Sequence, residues 1–108
     1  MNLAERKCIP CEGIPPMGRE EAEKYVKQVD NWTLADDNNG IEKSFKFRDF
    51  KQAVKFVNKV AEIAEEEGHN PDILIHGWNR VKLTLSTHSI KGLSPNDFIL
   101  AAKIDKVT

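Results

Sequence analysis

A helical pattern of apolar residues runs from about Arg48 to Gly68 and is the longest regular pattern in the sequence. Apolar side chains recur three or four positions apart over about five turns, which predicts one long amphipathic helix. The pattern contains one leading stripe and a second stripe that widens the apolar face. The leading stripe comprises Phe50, Val54, Val57, Ala61 and Ala64, and the second comprises Ala53, Phe56, Val60 and Ile63.

The end of this helix is marked by Gly68, the first glycine after the apolar pattern. Glycine lacks a Cβ and readily adopts the left-handed conformation that closes a helix, so we expect the helix to end there. Pro71 cannot continue the helix and steers Asn70 into extended backbone. His69 is therefore the first side chain held beyond the helix.

Segments on both sides of the long helix alternate apolar and polar residues, which is typical of half-buried strands. Before it, Trp32 and Leu34 are separated from the stretch IEKSFKF by the loop DDNNG, and Asn-Gly favours a hairpin. After it, DILIHGW and NRVKLTLSTH predict a second hairpin, with a tight turn between Gly77 and Arg80. Strict alternation along the last strand places His88 on its polar face.

The last helix is predicted to begin at Ser94, with Pro95 at its first position and Asp97 at its third, a pattern typical of a capping box. Its apolar residues form two stripes, whereas a helix that covers one sheet needs only one. The stripes are Phe98, Ala101 and Ala102, and Leu100, Ile104 and Val107. One stripe would stay exposed in a monomer, and such patches usually mark interfaces, so we expect a homo-oligomer.

The predicted order is a helix over residues 18–29, two strands, the long helix, two strands and a final helix. Antiparallel pairs with one apolar face favour an α+β domain, a four-stranded antiparallel sheet with the helices packed on one face. We expect this single domain to span residues 18–108. Residues 1–17 are predicted to be an irregular tail, because they contain three prolines.

The tail carries Cys8 and Cys11 in the motif CIPC. A redox CxxC motif normally opens a helix after a strand, and a structural zinc site needs two more ligands at suitable spacing. Neither context is present in the sequence. We therefore interpret the thiols as incidental, with metal capture and redox sensitivity as the alternatives.

Composition narrows the classes of function. The 108 residues carry 16 Lys and Arg against 17 Asp and Glu, a formal net charge of −1, which argues against a nucleic-acid partner. The N-terminal stretch MNLAERKC lacks the apolar run of a signal peptide, and no run reaches transmembrane length. We therefore expect a cytoplasmic protein without a membrane partner.

Three histidines, His69, His76 and His88, fall within twenty residues. Imidazole is the natural proton carrier near neutral pH, and two positioned imidazoles can take up one proton and deliver another. His69 and His88 follow regular elements, so we expect this pair to be held in place; each could also be an ordinary hydrogen-bonded histidine. A zinc site built from all three is an alternative, although no HxH or HxxxH spacing supports it.

Three further residues have both a structural and a functional interpretation. Glu65 precedes His69 by four residues and could share its helix face, or it could simply be solvated. Asp97 is expected mainly to cap its own helix. Trp78 could belong to the core or form a flat wall for a planar ligand.

The spacing of these residues resembles the signature of the pterin-4a-carbinolamine dehydratases. The similarity extends over roughly residues 32 to 106 and includes FKFRDF, VKLTLSTH and GLSPNDFILAAKID. Where many members have His-His-Pro, this chain has His-Asn-Pro, an accepted variant. The motif comprises Glu65, His69, Asn70, Pro71, Trp78, His88 and Asp97.

The resemblance implies an α-β-β-α-β-β-α fold with the active site on the sheet side away from the helices. It also implies a hydro-lyase that removes water from a 4a-hydroxytetrahydropterin, giving a quinonoid dihydropterin in tetrahydrobiopterin recycling, with no metal or other cofactor. By resemblance His69 and His88 are the acid/base pair, in an order that stays open. The substrate-binding positions are Asn70, Pro71, Trp78, Glu65 and Asp97.

The resemblance also implies an assembly, with a tetramer expected first and a dimer next. Two other roles stay open at this point. One is a non-enzymatic oligomerisation or transcriptional co-regulator protein of the same fold, and the other is a pterin-related role in molybdopterin metabolism. The retained histidines favour the enzyme, because a scaffold has no need of them.

Overall fold

The computed structural model describes residues 2–10 and 13–108, so Cys11 and its predicted role lie outside the described residues. The α+β class and the predicted order of helices and strands are confirmed. Two short 3-10 helices, labelled η, are added to that order. The elements are η1 (Leu3–Glu5), α1 (Arg19–Val26), β1 (Thr33–Leu34), β2 (Ile41–Lys46), α2 (Phe50–Glu67), β3 (Asp72–His76), β4 (Arg80–Leu85), η2 (His88–Ile90) and α3 (Pro95–Asp105).

The four strands form one antiparallel sheet in the order β1-β2-β4-β3. Val81 in the central strand β4 pairs with Phe45 of β2 on one side and with Ile75 of β3 on the other. As predicted, the apolar residues of β4 share the buried face: Val81, Leu83 and Leu85 are all fully buried. β3 is an edge strand, and its first three residues are exposed.

The long helix α2 begins and ends where local signals predict. Asp49 caps its start, because its side chain accepts a hydrogen bond from the Gln52 N–H at 2.8 Å. Gly68 closes its end in the left-handed conformation, with φ of 66°. Of the leading stripe of the sequence pattern only Ala64 is buried, and Phe50 is 55% exposed, so the second stripe supplies most of the buried face. The buried residues are Ala53, Phe56, Val60 and Ala64.

Aromatic packing accounts for this rotation of α2. The ring centroid of Phe56 lies 4.7 Å from that of Phe45 and 5.0 Å from that of Phe47, in and just after β2. Aromatic rings bury large apolar areas and favour tilted contacts at such distances. The three rings therefore turn the second stripe towards the sheet.

The expectation of an exposed apolar stripe on α3 is wrong. Phe98, Leu100 and Ile104 are all fully buried within the single chain, so both stripes contribute to the core, with Ala102 and Val107 partly buried at its margin. α3 packs against α2 and α1, and Tyr25 of α1 lies over Phe98 with ring centroids 5.2 Å apart. η1 also packs against α3. The sequence pattern of α3 does not predict this contact with the N-terminal residues.

The N-terminal residues, predicted to be an irregular tail, pack against the domain. Leu3 of η1 and Met17 are both buried in the hydrophobic core. The Met17 N–H donates to the carbonyl of Leu93 at 2.8 Å. Across the described part of the chain, no helix combines the length and apolar character needed to cross a bilayer.

Candidate active site

A cleft of about 410 Å³ lies at one end of the sheet, where β3 begins and β4 ends. Because these strands are antiparallel, the residues before Asp72 lie beside those after Leu85. His69 and His88, the two histidines predicted to act together, both line this cleft. The complete lining is Gly68, His69, Asn70, Pro71, Asp72, Ser86, Thr87, His88 and Ser89.

His69 is held by the end of α2 and by a buried carboxylate. Its backbone N–H donates to the carbonyl of Ala64 at 3.2 Å, which ties the residue to the last turn of the helix. Its side chain is only 11% exposed, and its Nε2 lies 2.6 Å from Oδ1 of Asp97. The contact with Asp97 therefore fixes the position of Nε2 and the orientation of the ring.

Asp97 is the polar centre beneath the cleft, with no exposed surface. Its Oδ2 accepts hydrogen bonds from the Thr87 hydroxyl at 2.9 Å and from the Ser94 N–H at 3.0 Å. The second contact is one half of the predicted capping box, and the other half is the Asp97 N–H donating to the Ser94 side chain. Ser94 Oγ also accepts from the Asn96 N–H at 3.3 Å. Burial of a carboxylate is tolerated only when such partners replace water.

The hydroxyl groups fix the direction of the hydrogen bonds around Asp97. Thr87 has one hydroxyl hydrogen and donates it to Asp97, so its oxygen accepts from Ser94 Oγ at 2.7 Å. The contacts of Asp97 with Thr87 and Ser94 are therefore both made by donors, so Asp97 acts as an acceptor, and a donating ring nitrogen suits its contact with His69. We therefore assign the hydrogen of neutral His69 to Nε2, which leaves Nδ1 as the ring nitrogen able to take a proton.

His88 is exposed and lies outside the strand. β4 ends at Leu85, and His88 opens η2, so its predicted place on the polar face of a strand is wrong. The loop is closed by Thr87, whose N–H donates to the Gly92 carbonyl at 2.8 Å, and Lys91 adopts a left-handed φ of 54°. This turn redirects the chain, so strand parity no longer applies at His88.

Asn70 and Pro71 line the cleft beside His69, where the resemblance places substrate-binding residues. Glu65 is exposed on α2 and does not line the cleft. Trp78 lies in the turn between β3 and β4, at the far end of this hairpin, and is 63% exposed. Five strand residues extend for about 13 Å or more, so Trp78 cannot touch a ligand in the cleft of its own chain.

His76 lies at that same far end of β3, away from the other two histidines. The structure therefore does not assemble the alternative site in which three histidines hold zinc. Within residues 2–10 and 13–108, no group of three His, Cys, Asp or Glu side chains is placed to hold a metal ion.

Thr87 was not among the site residues predicted from the sequence. Its hydroxyl donates to Asp97, the carboxylate that holds His69, and Thr87 directly precedes His88. Thr87 follows Val81, Leu83 and Leu85 at every second position, so it falls on the buried face. A polar residue at an apolar position of a strand pattern is the signal that could have identified it. Asp72, Ser86 and Ser89, which also line the cleft, carry no comparable signal.

Comparison with known proteins agrees with this architecture. A model of the family described as pterin 4 alpha carbinolamine dehydratase matches residues 15–107. A relative from Alkaliphilus metalliredigens is 48% identical over 107 residues, covering 97% of this chain and 95% of its own. One from Rubrobacter xylanophilus is 45% identical over 106 residues, covering 97% of each chain. Both names assign these relatives provisionally to the pterin-4-alpha-carbinolamine dehydratases.

Two solved structures share the fold. The crystal structure of a transcriptional coactivator/pterin dehydratase from Brucella melitensis aligns with a TM-score of 0.79 and 33% identity, over 85% of this chain and 97% of that one. A pterin dehydratase-like protein described as a RuBisCO assembly factor in the α-carboxysome aligns with a TM-score of 0.61 and 24% identity, over 72% and 89%. The second likeness concerns the fold alone. The family model that matches residues 15–107, together with relatives 45–48% identical over 97% of the chain, shows that this chain belongs to the pterin-4a-carbinolamine dehydratase family.

Proposed function

We propose that this chain is a hydro-lyase that dehydrates a 4a-hydroxytetrahydropterin to a quinonoid dihydropterin, as a step of tetrahydrobiopterin recycling. Membership of the family supports the dehydratase class. The observation that carries the mechanism is that His69 and His88 line one cleft while a buried carboxylate fixes His69. The reaction needs one proton removed and one delivered, which two imidazoles can do.

His69 is proposed to be the general base. Its Nδ1 takes the proton from N5 of the pterin, and the ring becomes an imidazolium. The Asp97 carboxylate 2.6 Å from Nε2 stabilises that positive charge, as a carboxylate behind a catalytic histidine does in other enzymes. His69 is thus the histidine whose charged form would be stabilised by a neighbouring carboxylate.

His88 is proposed to be the general acid. It is exposed in η2, so it exchanges protons with solvent, and it delivers one to the 4a-hydroxyl. The C4a–O bond then breaks and water leaves, while the electrons released from N5–H form the new N5=C4a double bond. One proton enters and one leaves, so the net products are the quinonoid dihydropterin and water.

Asn70 and Pro71 are proposed to bind the pterin at the rim of the cleft. The amide of Asn70 can donate and accept hydrogen bonds, which suits the alternating donors and acceptors of a pterin edge, but it cannot carry a proton. Asn70→Ala should therefore raise KM with little change in kcat, and Asn70→His should be tolerated.

A direct assay on synthetic carbinolamine tests the proposal. The protein should accelerate the loss of water far above the spontaneous rate, and the purified protein should need no added cofactor. The competing possibility is a non-enzymatic co-regulator of the same fold, and the Brucella melitensis protein is described as both a coactivator and a dehydratase. A folded protein that leaves the spontaneous rate unchanged would favour that alternative, or a different pterin such as a molybdopterin-related one.

We propose further that the chain forms a homo-oligomer through β3. The stripe on α3 no longer supports an oligomer, but β3 is an edge strand whose Leu74 is 55% exposed and Ile73 38% exposed. Exposed apolar edge strands readily pair with another chain. Antiparallel pairing of two copies centred on Leu74 would set each Asp72 opposite His76 of the other copy, where the imidazole can donate a hydrogen bond to the carboxylate.

The same pairing would bring Trp78 of the second copy opposite Asn70, at the cleft. Trp78 could then bind the substrate held by the neighbouring copy, although it lies far from the cleft of its own chain. Ultracentrifugation should therefore show a species heavier than the 12.3 kDa monomer. Leu74→Lys should shift it towards monomer, whereas Phe50→Lys, at an equally exposed apolar residue on α2, should not. Dissociation by the Phe50 variant alone would place the interface on α2, and a wild-type monomer would refute an oligomer.

A further inference from the structure

The N-terminal strap, defined as residues 2–10, is bonded to the two helix ends that carry His69 and Asp97. The backbone N–H of Cys8 donates to Oε1 of Glu67 at 2.9 Å, two residues before His69. The side chain of Asn96, the residue before Asp97, accepts from the Ile9 N–H at 3.0 Å. It also donates to the Ile9 carbonyl at 2.6 Å. Adjacent strap residues thus link the end of α2 to the start of α3.

Both partners of the strap are buried polar side chains. Asn96 is 5% exposed, and the side chain of Glu67 is 6% exposed. Buried polar groups of this kind cost stability unless they are hydrogen-bonded, so their geometry is tightly determined. The strap contacts are therefore specific hydrogen bonds of the folded domain, and the strap is not loosely packed on its surface.

The other end of the strap is anchored on the C-terminal half of α3. Lys103 Nζ donates to the Ala4 carbonyl at 2.9 Å and lies 3.7 Å from Oε2 of Glu67. Leu3 is buried in the core beside it. The strap is thus fixed along its length, and Glu67 is held from both sides.

This arrangement matters for the cleft because the contact between His69 and Asp97 joins two separate helices. The bond of 2.6 Å forms only if the end of α2 and the start of α3 keep their separation. Catalytic groups must be held within about 0.5 Å of their productive geometry, and a misplacement of about 1 Å can cost about 100-fold in rate. Glu67 and Asn96 lie next to the two groups whose separation must be kept.

We propose that Glu67 and Asn96 are positioning residues that act through the N-terminal strap to set the contact between His69 and Asp97. The inference rests on the proposed function, because it assigns the strap a task in that same site. The family model matches residues 15–107, so the strap itself lies outside the matched region, whereas Glu67 and Asn96 lie within it. Residues beyond the family match thus support a pair within it.

Two substitutions at Glu67 and one control test this role. Glu67→Ala removes the acceptor for the Cys8 N–H, and we expect kcat to fall about 10-fold while KM changes by less than about 2-fold, as displacement of a catalytic group predicts. Glu67→Gln keeps an Oε1 acceptor and should restore most of kcat. Glu66→Ala changes the exposed neighbour of Glu67 on the same helix and should behave as wild type.

Asn96→Ala supplies an independent variant, because it removes both bonds to Ile9 without touching α2. It should lower kcat in the same way and change the shape of the pH profile of kcat. Circular dichroism and thermal unfolding verify that each variant is folded before it is assayed. If Asn96→Ala fails to fold, the Glu67 series decides the matter alone.

Nitrogen NMR of the His69 ring separates this inference from the proposed function. In the wild type, Nε2 should carry the hydrogen, and Glu67→Ala and Asn96→Ala should both weaken that preference, whether or not the protein dehydrates pterins. If the His69 spectrum changes in the variants but the wild-type protein does not dehydrate the pterin, the positioning role stands and the dehydratase function is rejected. An unchanged spectrum and unchanged kcat in both folded variants would overturn the positioning role.

Discussion

Replacement of Asp97 by asparagine removes the charge behind His69 with almost no change in shape. The carboxylate now accepts from His69, Thr87 and Ser94. In Asp97→Asn, the amide oxygen can take the place of Oδ2 and keep the bonds from Thr87 and Ser94, because it has two lone pairs. The amide NH₂ then faces His69 Nε2, which must give up its hydrogen and accept.

The expected magnitude follows from the bond that is lost. A hydrogen bond to a charged group contributes about 1.5–3 kcal/mol, and about 1.4 kcal/mol corresponds to tenfold in rate. Turnover of Asp97→Asn should therefore fall by about 10- to 150-fold, because the imidazolium loses its partner and Nδ1 becomes the protonated nitrogen. Stability should fall by no more than about 3 kcal/mol, since two of the three former donors, Thr87 and the Ser94 N–H, keep an acceptor.

Dehydration of synthetic carbinolamine measures the first quantity, and thermal unfolding measures the second. Asp105→Asn is the matched control on the same helix. Asp105 holds Lys43 at 2.9 Å and the indole N–H of Trp32 at 3.0 Å, away from the cleft, so its loss should affect stability and leave turnover near that of wild type. Turnover of Asp97→Asn within about 2-fold of wild type would refute the role assigned to this carboxylate.

Thr87→Val removes the hydroxyl that bridges Ser94 and Asp97, so the free energy of unfolding should drop by about 1–3 kcal/mol, and a denaturation midpoint equal to that of wild type would contradict this. Leu100→Asp buries an unpaired carboxylate at a fully buried position, so it should unfold the chain and not yield a folded, dissociated subunit in ultracentrifugation. Activity should survive exhaustive chelation, and loss of a stoichiometric metal together with activity would contradict the metal-free mechanism.

Elements with strong local signals could be predicted from the sequence alone. Gly68 and the Ser94–Asp97 capping box fix helix ends through contacts between residues a few positions apart, so both were identified correctly. The second hairpin is equally local, because its alternation and its turn lie within one short segment. The pair formed by His69 and His88 came from helix and strand ends, although the loop at His88 was not foreseen.

The features that could not be predicted depend on contacts between distant parts of the chain. The N-terminal strap covers α3 through bonds that span 87 residues, from Ile9 to Asn96, and no periodic pattern encodes such a contact. Likewise, two adjacent apolar stripes on α2 leave its rotation open until Phe56 meets the rings of β2. Trp78 was assigned to the site by resemblance, and only the hairpin geometry shows that it lies at the opposite end.

His69 and His88 are proposed to perform acid/base dehydration in one cleft, and the turnover of their alanine variants measures that role. His76→Ala is the matched control, because this third histidine lies at the far end of β3. His69→Ala and His88→Ala should each lower kcat by about 10² or more, the usual scale for a lost acid or base, while His76→Ala should stay near wild type. Near wild-type turnover in both His69→Ala and His88→Ala would show that the two histidines are not the acid and the base.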